Sequence, residues 1–117
     1  MQINKRKLNK TIIAGDFNSN TIWDRWDRWW NHSDVIKELT ELGIKSLYHK
    51  FKNEQQGKET SPTFYLHRKK NRPYHIDYIL GSQDFSDKMT KFKIGNFEKW
   101  IQLSDHLPLI CELDIKK

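Results

Sequence analysis

The sequence has little cysteine and no long apolar run, and both shortages narrow what the protein can be. The single Cys111 excludes an internal disulfide and, with no zinc-type cysteine pair, fits a reducing, cytoplasmic compartment. No stretch is apolar enough to span a membrane. The basic start Lys5-Arg6-Lys7 runs into Leu8-Asn9-Lys10, where a secretory peptide needs an apolar core. Internal repeats, low-complexity tracts and linkers are also missing, so residues 1–117 read as one unit.

What the chain does have is positive charge and aromatic bulk. Lys and Arg number 21 against 15 Asp and Glu, a net +6 that attracts polyanions such as nucleic acid, although scattered lysine equally serves as a solvated surface. With 36% hydrophobic residues a modest core is within reach. Thr11-Ile12-Ile13-Ala14, stopped by Gly15-Asp16, reads as a buried strand with polar residues at its C-terminal end. Val35, Ile36, Leu39 and Leu42 share one face of a helix over 34–42, with Ser33 as N-cap, Asp34 near the positive end of the dipole and Gly43 beyond. Strands are expected over 45–51, 63–68, 74–80, weakly 92–97, and 107–113. Asn71-Arg72-Pro73 marks a hairpin connection, because proline cannot donate to a ladder. One helix followed mostly by antiparallel strands is the expected order.

Three short blocks set acids, amides and a histidine at strand edges: Gly15-Asp16-Phe17-Asn18, His75-Ile76-Asp77-Tyr78-Ile79-Leu80 and Ser104-Asp105-His106-Leu107-Pro108. Asp and Asn after a strand are more often a turn than a site, since both bond their own backbone. Asp77, between Ile76 and Tyr78 in a run that should be half buried, needs a partner, because an unpaired buried carboxylate costs several kcal/mol. His106 is the candidate: a carboxylate on one ring nitrogen fixes the tautomer and frees the other for proton transfer or phosphate contact. A purely structural Asp-His pair is the competing reading. Asp105 offers the hard oxygens that Mg2+ or Mn2+ prefer.

In this order and at these separations the three blocks resemble the C-terminal motifs of the endonuclease/exonuclease/phosphatase superfamily, and Ser61-Pro62-Thr63-Phe64 resembles the Pro-Thr-aromatic segment before its Asp-bearing strand. The resemblance covers residues 11–114. It implies an α/β fold, half of a four-layer α/β/β/α sandwich with a mostly antiparallel sheet and one or two helices. It also implies metal-dependent hydrolysis of phosphodiesters, DNA being favoured by the basic balance. On this resemblance Asp16 orients or deprotonates the attacking water and Asn18 holds a phosphate oxygen. Asp77 orients His106, His106 contacts the scissile phosphate, and Asp105 ligates Mg2+ or Mn2+.

Members of that superfamily carry a first half bearing a metal-binding Glu, whereas here ten residues precede Thr11 and no Glu occurs before Glu38. One sheet of a two-sheet sandwich leaves an apolar face without a partner, so a homodimer or a complementing half is expected to cover it, and activity is expected to need that missing half or a partner. The rival reading is a fragment that binds nucleic acid or assembles with a partner without turnover.

Two surface features remain open at this stage. Trp23, Trp26, Trp29 and Trp30 suit either base stacking or, more commonly, a packed helix or loop edge. Arg68, Lys70 and Arg72 at the hairpin tip suit either a phosphate grip or a solvated turn. His32, His49, His67 and His75, without a close acid or cysteine array, read as surface or packing residues.

Overall fold

In the computed structural model, residues 6–115 are described, and they form a mixed α/β fold with antiparallel sheets. Strand β1 (Ile12–Asp16) and strand β2 (Ile44–Ser46) flank the central β5 (Asp77–Ser82), both antiparallel to it. Two smaller ladders join β3 (Phe64–Tyr65) to β4 (Pro73–Tyr74) and β6 (Met89–Ile94) to β7 (Leu109–Leu113). Helices α1 (His32–Glu41), α2 (Leu47–Lys52), α3 (Gln83–Asp87) and α4 (Phe97–Trp100) exceed the expected one or two.

The differences from expectation have local causes. Helix α1 begins at His32, so its cap is Asn31 and not Ser33; Asp34 reaches back to accept the Asn31 N–H at 2.7 Å, as in a capping box. Gly43, at φ 82°, ends it in the left-handed conformation that glycine adopts without penalty. The expected strand over 45–51 stops at Ser46 and becomes α2. Leu47 and Phe51, four apart, suit either period, and a short apolar run does not by itself tell a strand from a buried helix. The run over 63–68 is strand only at Phe64–Tyr65, then a 3₁₀ turn over Leu66–Arg68 with His67 and Arg68 at positive φ. The break between Tyr74 and Asp77 makes Asp77 the first residue of β5, not an interior one. The weak run at 92–97 divides into the end of β6 and the start of α4, where Asn96 accepts the Lys99 N–H at 2.8 Å.

Residues directly opposite in an antiparallel pair share a face. Ile13 faces Leu80 and Gly15 faces Tyr78; on that side Tyr78 and Leu80 pack with Ile44 under Leu39 and Leu42 of the α1 segment. A second core joins Leu47 and Tyr48 of α2 to Phe92, with Leu109 and Cys111 against them. On the other side of β1, Ile12, Ala14 and Asp16 lie opposite Gly81, Ile79 and Asp77. In place of the expected buried strand stopped by Gly15-Asp16, β1 runs on through both residues and this side of it is open, because nothing among the described residues packs over it: Ile12 is 43% exposed, and Ala14 and Asp16 are exposed as well. The molecule measures 47 × 47 × 21 Å. Among the described residues no helix is long and apolar enough to cross a membrane.

Candidate active site

The register of β1 on β5 sets Asp16 directly opposite Asp77, at one end of the open face. His106 reaches the same place from another direction, because an isolated bridge pairs it with Phe64 and its ring packs on the Phe64 ring at 4.7 Å. Thr63 holds these pieces together. Its buried hydroxyl accepts the N–H groups of Ile76 (3.0 Å) and Asp77 (3.2 Å), and its carbonyl accepts the Leu107 N–H at 2.8 Å. Ser104 Oγ accepts the His106 N–H at 3.0 Å, and Gly95 donates to the Pro108 carbonyl at 2.8 Å.

His106 Nδ1 donates to the Asp77 carboxylate, 2.9 Å from Oδ2 and 3.1 Å from Oδ1. That bond fixes the tautomer and leaves Nε2 toward Asp16 Oδ2 at 3.7 Å and Asp105 Oδ1 at 3.9 Å. Burial pulls the imidazole down, but the Asp77 hydrogen bond and the charges of Asp77, Asp16 and Asp105 outweigh it and hold its pKa above the ordinary 6.5. The side chains grade from covered to open, Asp77 at 13% exposure and Asp16 and Asp105 at 48% and 45%. Ligand atoms of Asp16, Asp77 and His106 all lie within 4.8 Å of one another. A concavity of about 260 Å³ adjoins Asp16 and Asp77, walled by Ala14, Ile79, Leu107 and Leu109.

Asn18 stands beside this group in the left-handed conformation, φ 50°, and its N–H donates to Asp16 Oδ1 at 2.7 Å. The turn chemistry weighed for Gly-Asp-x-Asn is therefore present together with the cluster. Arg68 donates to the Gln102 carbonyl at 3.4 Å, while Lys70 pairs with Glu98 at 3.6 Å and sits over the Phe97 ring. Both therefore engage α4 and the residues after it, and Arg72 is exposed.

Sequence reasoning missed the positioning roles of Thr63, Phe64 and Ser104; the Pro-Thr-aromatic segment was the available signal. It also missed a polar interior behind the site. Asn20, fully buried, donates to Glu59 (3.1 Å), the His75 carbonyl (2.7 Å) and Tyr78 Oη (3.2 Å). Glu59 accepts from His49 at 2.6 Å; although burial raises its pKa, that bond and those from Gly57 and Asn20 bring it down to about 2. Burial pushes His75 and His32 below 6.5, and His75 Nδ1 donates to the Ser61 carbonyl at 2.9 Å.

No protein-family model matches the chain, and no curated protein matches it either.

Proposed function

We propose that this protein is a metal-dependent phosphodiesterase, with DNA as its favoured substrate. The observation that carries the reading is the placement of His106, backed by a covered carboxylate and faced by two half-open ones beside a concavity. Such a pair fixes an imidazole whose free nitrogen meets a phosphate oxygen as negative charge builds there. The three-block resemblance to the endonuclease/exonuclease/phosphatase superfamily supports the same chemistry. It also brings the half-sandwich interpretation of the open β1–β5 face, to be covered by a second copy or a complementing half. The lone Cys111 adds a reducing, cytoplasmic setting to the reading.

In this reading Asp77 holds the His106 ring and stabilises its charged form, and Nε2–H is directed at a phosphate oxygen. Asp16 orients a water for attack, and Asn18 holds a second phosphate oxygen. The donor set suits Mg2+ or Mn2+: Asp105 and Asp16 supply hard, half-exposed carboxylate oxygens, and Mg2+ is usually held by one or two carboxylates with waters and substrate phosphates. When bound, such an ion supplies Lewis-acid stabilisation of the phosphoryl group and leaving oxygen. Arg68, Lys70 and Arg72 would grip flanking phosphates, Arg72 with the most freedom because the other two engage α4 and its C-terminal side.

The test is hydrolysis of a fluorescent DNA by the purified chain with and without Mg2+. Cleavage that requires the metal and falls about 10²- to 10³-fold in His106→Ala is expected, the size of losing one transition-state donor. Salt-sensitive DNA binding without metal-dependent cleavage would instead favour the non-catalytic reading.

A further inference from the structure

Of the tryptophans between β1 and α1, Trp23 packs on a neighbouring ring but Trp26 and Trp29 do not pack. Trp26 is 98% exposed and Trp29 96%, with Trp30 at 51%, so the commoner use of such residues, a core edge, does not apply to them. The loop that carries them is nonetheless built. Asn31 closes it from both sides, Oδ1 accepting the Arg25 N–H at 3.0 Å and Nδ2 donating to the Arg25 carbonyl at 2.8 Å. The Arg28 N–H adds a bond to the Arg25 carbonyl at 3.1 Å. Two nearly bare indoles thus stand on a pinned loop.

What should meet them follows from charge and position. Asp27 pairs with Arg25 at 3.4 Å, and Asp24 Oδ1 lies 3.5 Å from the Ser33 N–H at the start of α1. Arg28, between the two bare indoles, has no ion pair among the described residues, so its guanidinium is free although the loop, with Asp24, Arg25, Asp27 and Arg28, carries no net charge. The loop departs from the end of β1 that bears Asp16. Rings also connect it to the site: Trp23 packs on Tyr74 (5.2 Å), Tyr74 on Phe64 (6.5 Å), and Phe64 on His106 (4.7 Å). None of Trp23, Tyr74, Phe64 and His106 is fully buried.

We propose that the Trp26–Trp29 loop is a stacking platform for unpaired nucleobases, delivering single-stranded or locally opened nucleic acid along the Trp23–Tyr74–Phe64 rings toward His106. Flat π-faces interleaved with a free guanidinium take any base, because every base has a π-face, and the cation meets the backbone. This rests on the phosphodiesterase reading and gives its substrate a form, strands with exposed bases.

The experiment measures binding of a fluorescein-labelled dT20 oligonucleotide to the purified chain without metal, beside heparin and phosphatidylcholine/phosphatidylglycerol vesicles. Stacking is worth about 1–3 kcal/mol per base, or about 5- to 150-fold, so Trp26→Ala/Trp29→Ala is expected to weaken dT20 binding at least about 10-fold. Heparin binding and circular dichroism should stay unchanged, and Trp26→Tyr/Trp29→Tyr should restore most of the dT20 affinity. Unchanged dT20 affinity in the alanine variant, no dT20 binding by the parent chain, or equal losses for dT20 and heparin would each overturn the proposal. So would vesicle binding that depends on the same tryptophans while dT20 binding does not. Because no cleavage is read, indole-dependent dT20 binding by a chain that hydrolyses nothing would leave the platform standing and the phosphodiesterase reading refuted.

Discussion

His106 is the residue on which the proposed chemistry turns, and its protonation depends on Asp77 more than on any other side chain. Its pKa is held above 6.5 by the Asp77 hydrogen bond and three neighbouring carboxylates, against the pull of burial. If the imidazolium is the form that meets phosphate, activity should be retained below that raised pKa and fall as pH rises through it. Asp77→Asn keeps the shape but removes the charge and the strongest acceptor. Its activity should therefore decline at a lower pH than in the parent chain, with a loss at neutral pH of about 10²-fold or more. A pH–rate profile of both proteins checks this; superimposable profiles would mean that Asp77 has only a structural role. That Asp77 needs a partner was legible from its apolar neighbours, and His106, in the Ser104-Asp105-His106 block, was the candidate for it. That Thr63 pins both ends of the pair was signalled only by the Pro-Thr-aromatic segment, because its bonds to Ile76, Asp77 and Leu107 form only once those distant segments meet.

At the scale of elements, the loop before β7 is seated by the end of β6. A Cβ added at Gly95 would lie 2.6 Å from Pro108 and 2.7 Å from Trp100, closer than real contacts allow, and Pro108 follows His106 by two residues. Gly95→Ala should therefore cost about 1–3 kcal/mol by overpacking and displace the segment that carries His106. Chemical denaturation together with the DNA cleavage assay measures both effects, and a stable, fully active variant would show that the loop is not seated there. Elements whose residues report local geometry were readable: the α1 stripe of Leu39 and Leu42 with Gly43 behind it, and the β1 run ending at Gly15-Asp16. Helix α2 was not, since Leu47 and Tyr48 reach two different burial partners only after β5 and β6 are in place.

For the molecule as a whole, the buried polar network decides how stability responds to acid. His32 and His75, 5% and 4% exposed, have folded pKa values below 6.5, so the unfolded chain takes up protons there that the fold refuses. Stability therefore falls as pH drops below about 6.5. Glu59, held to about 2, contributes stability above 4.5 that is lost as pH falls from 4.5 toward 2. His106 acts in the opposite sense: its contribution is complete below 6.5 and is lost as pH rises through its raised folded pKa. With two buried histidines against one partly open one, the melting temperature is expected to be lower at pH 5 than at pH 7.5. The shift should be several degrees, since about 1 kcal/mol corresponds to roughly 4 °C for a domain of this size. A thermal melt by circular dichroism across that range checks it, and a melting temperature that rises on acidification would mean that His106 outweighs the interior pair.

The sequence by itself determined the charge balance, the presence of a strand through Ile12–Ala14, the α1 stripe and the identities of the acids and histidine that meet at the site, because each depends on neighbours a few positions away. Tertiary structure alone decided that Asp77 and His106, 29 positions apart, lie 2.9 Å from each other. It also decided that Asn20 and Tyr78, 58 positions apart, share a buried network, and that Trp26 and Trp29 stand bare. Burial and long-range register depend on which segments pair, and a pattern of period two or 3.6 says which face is apolar without saying what covers it.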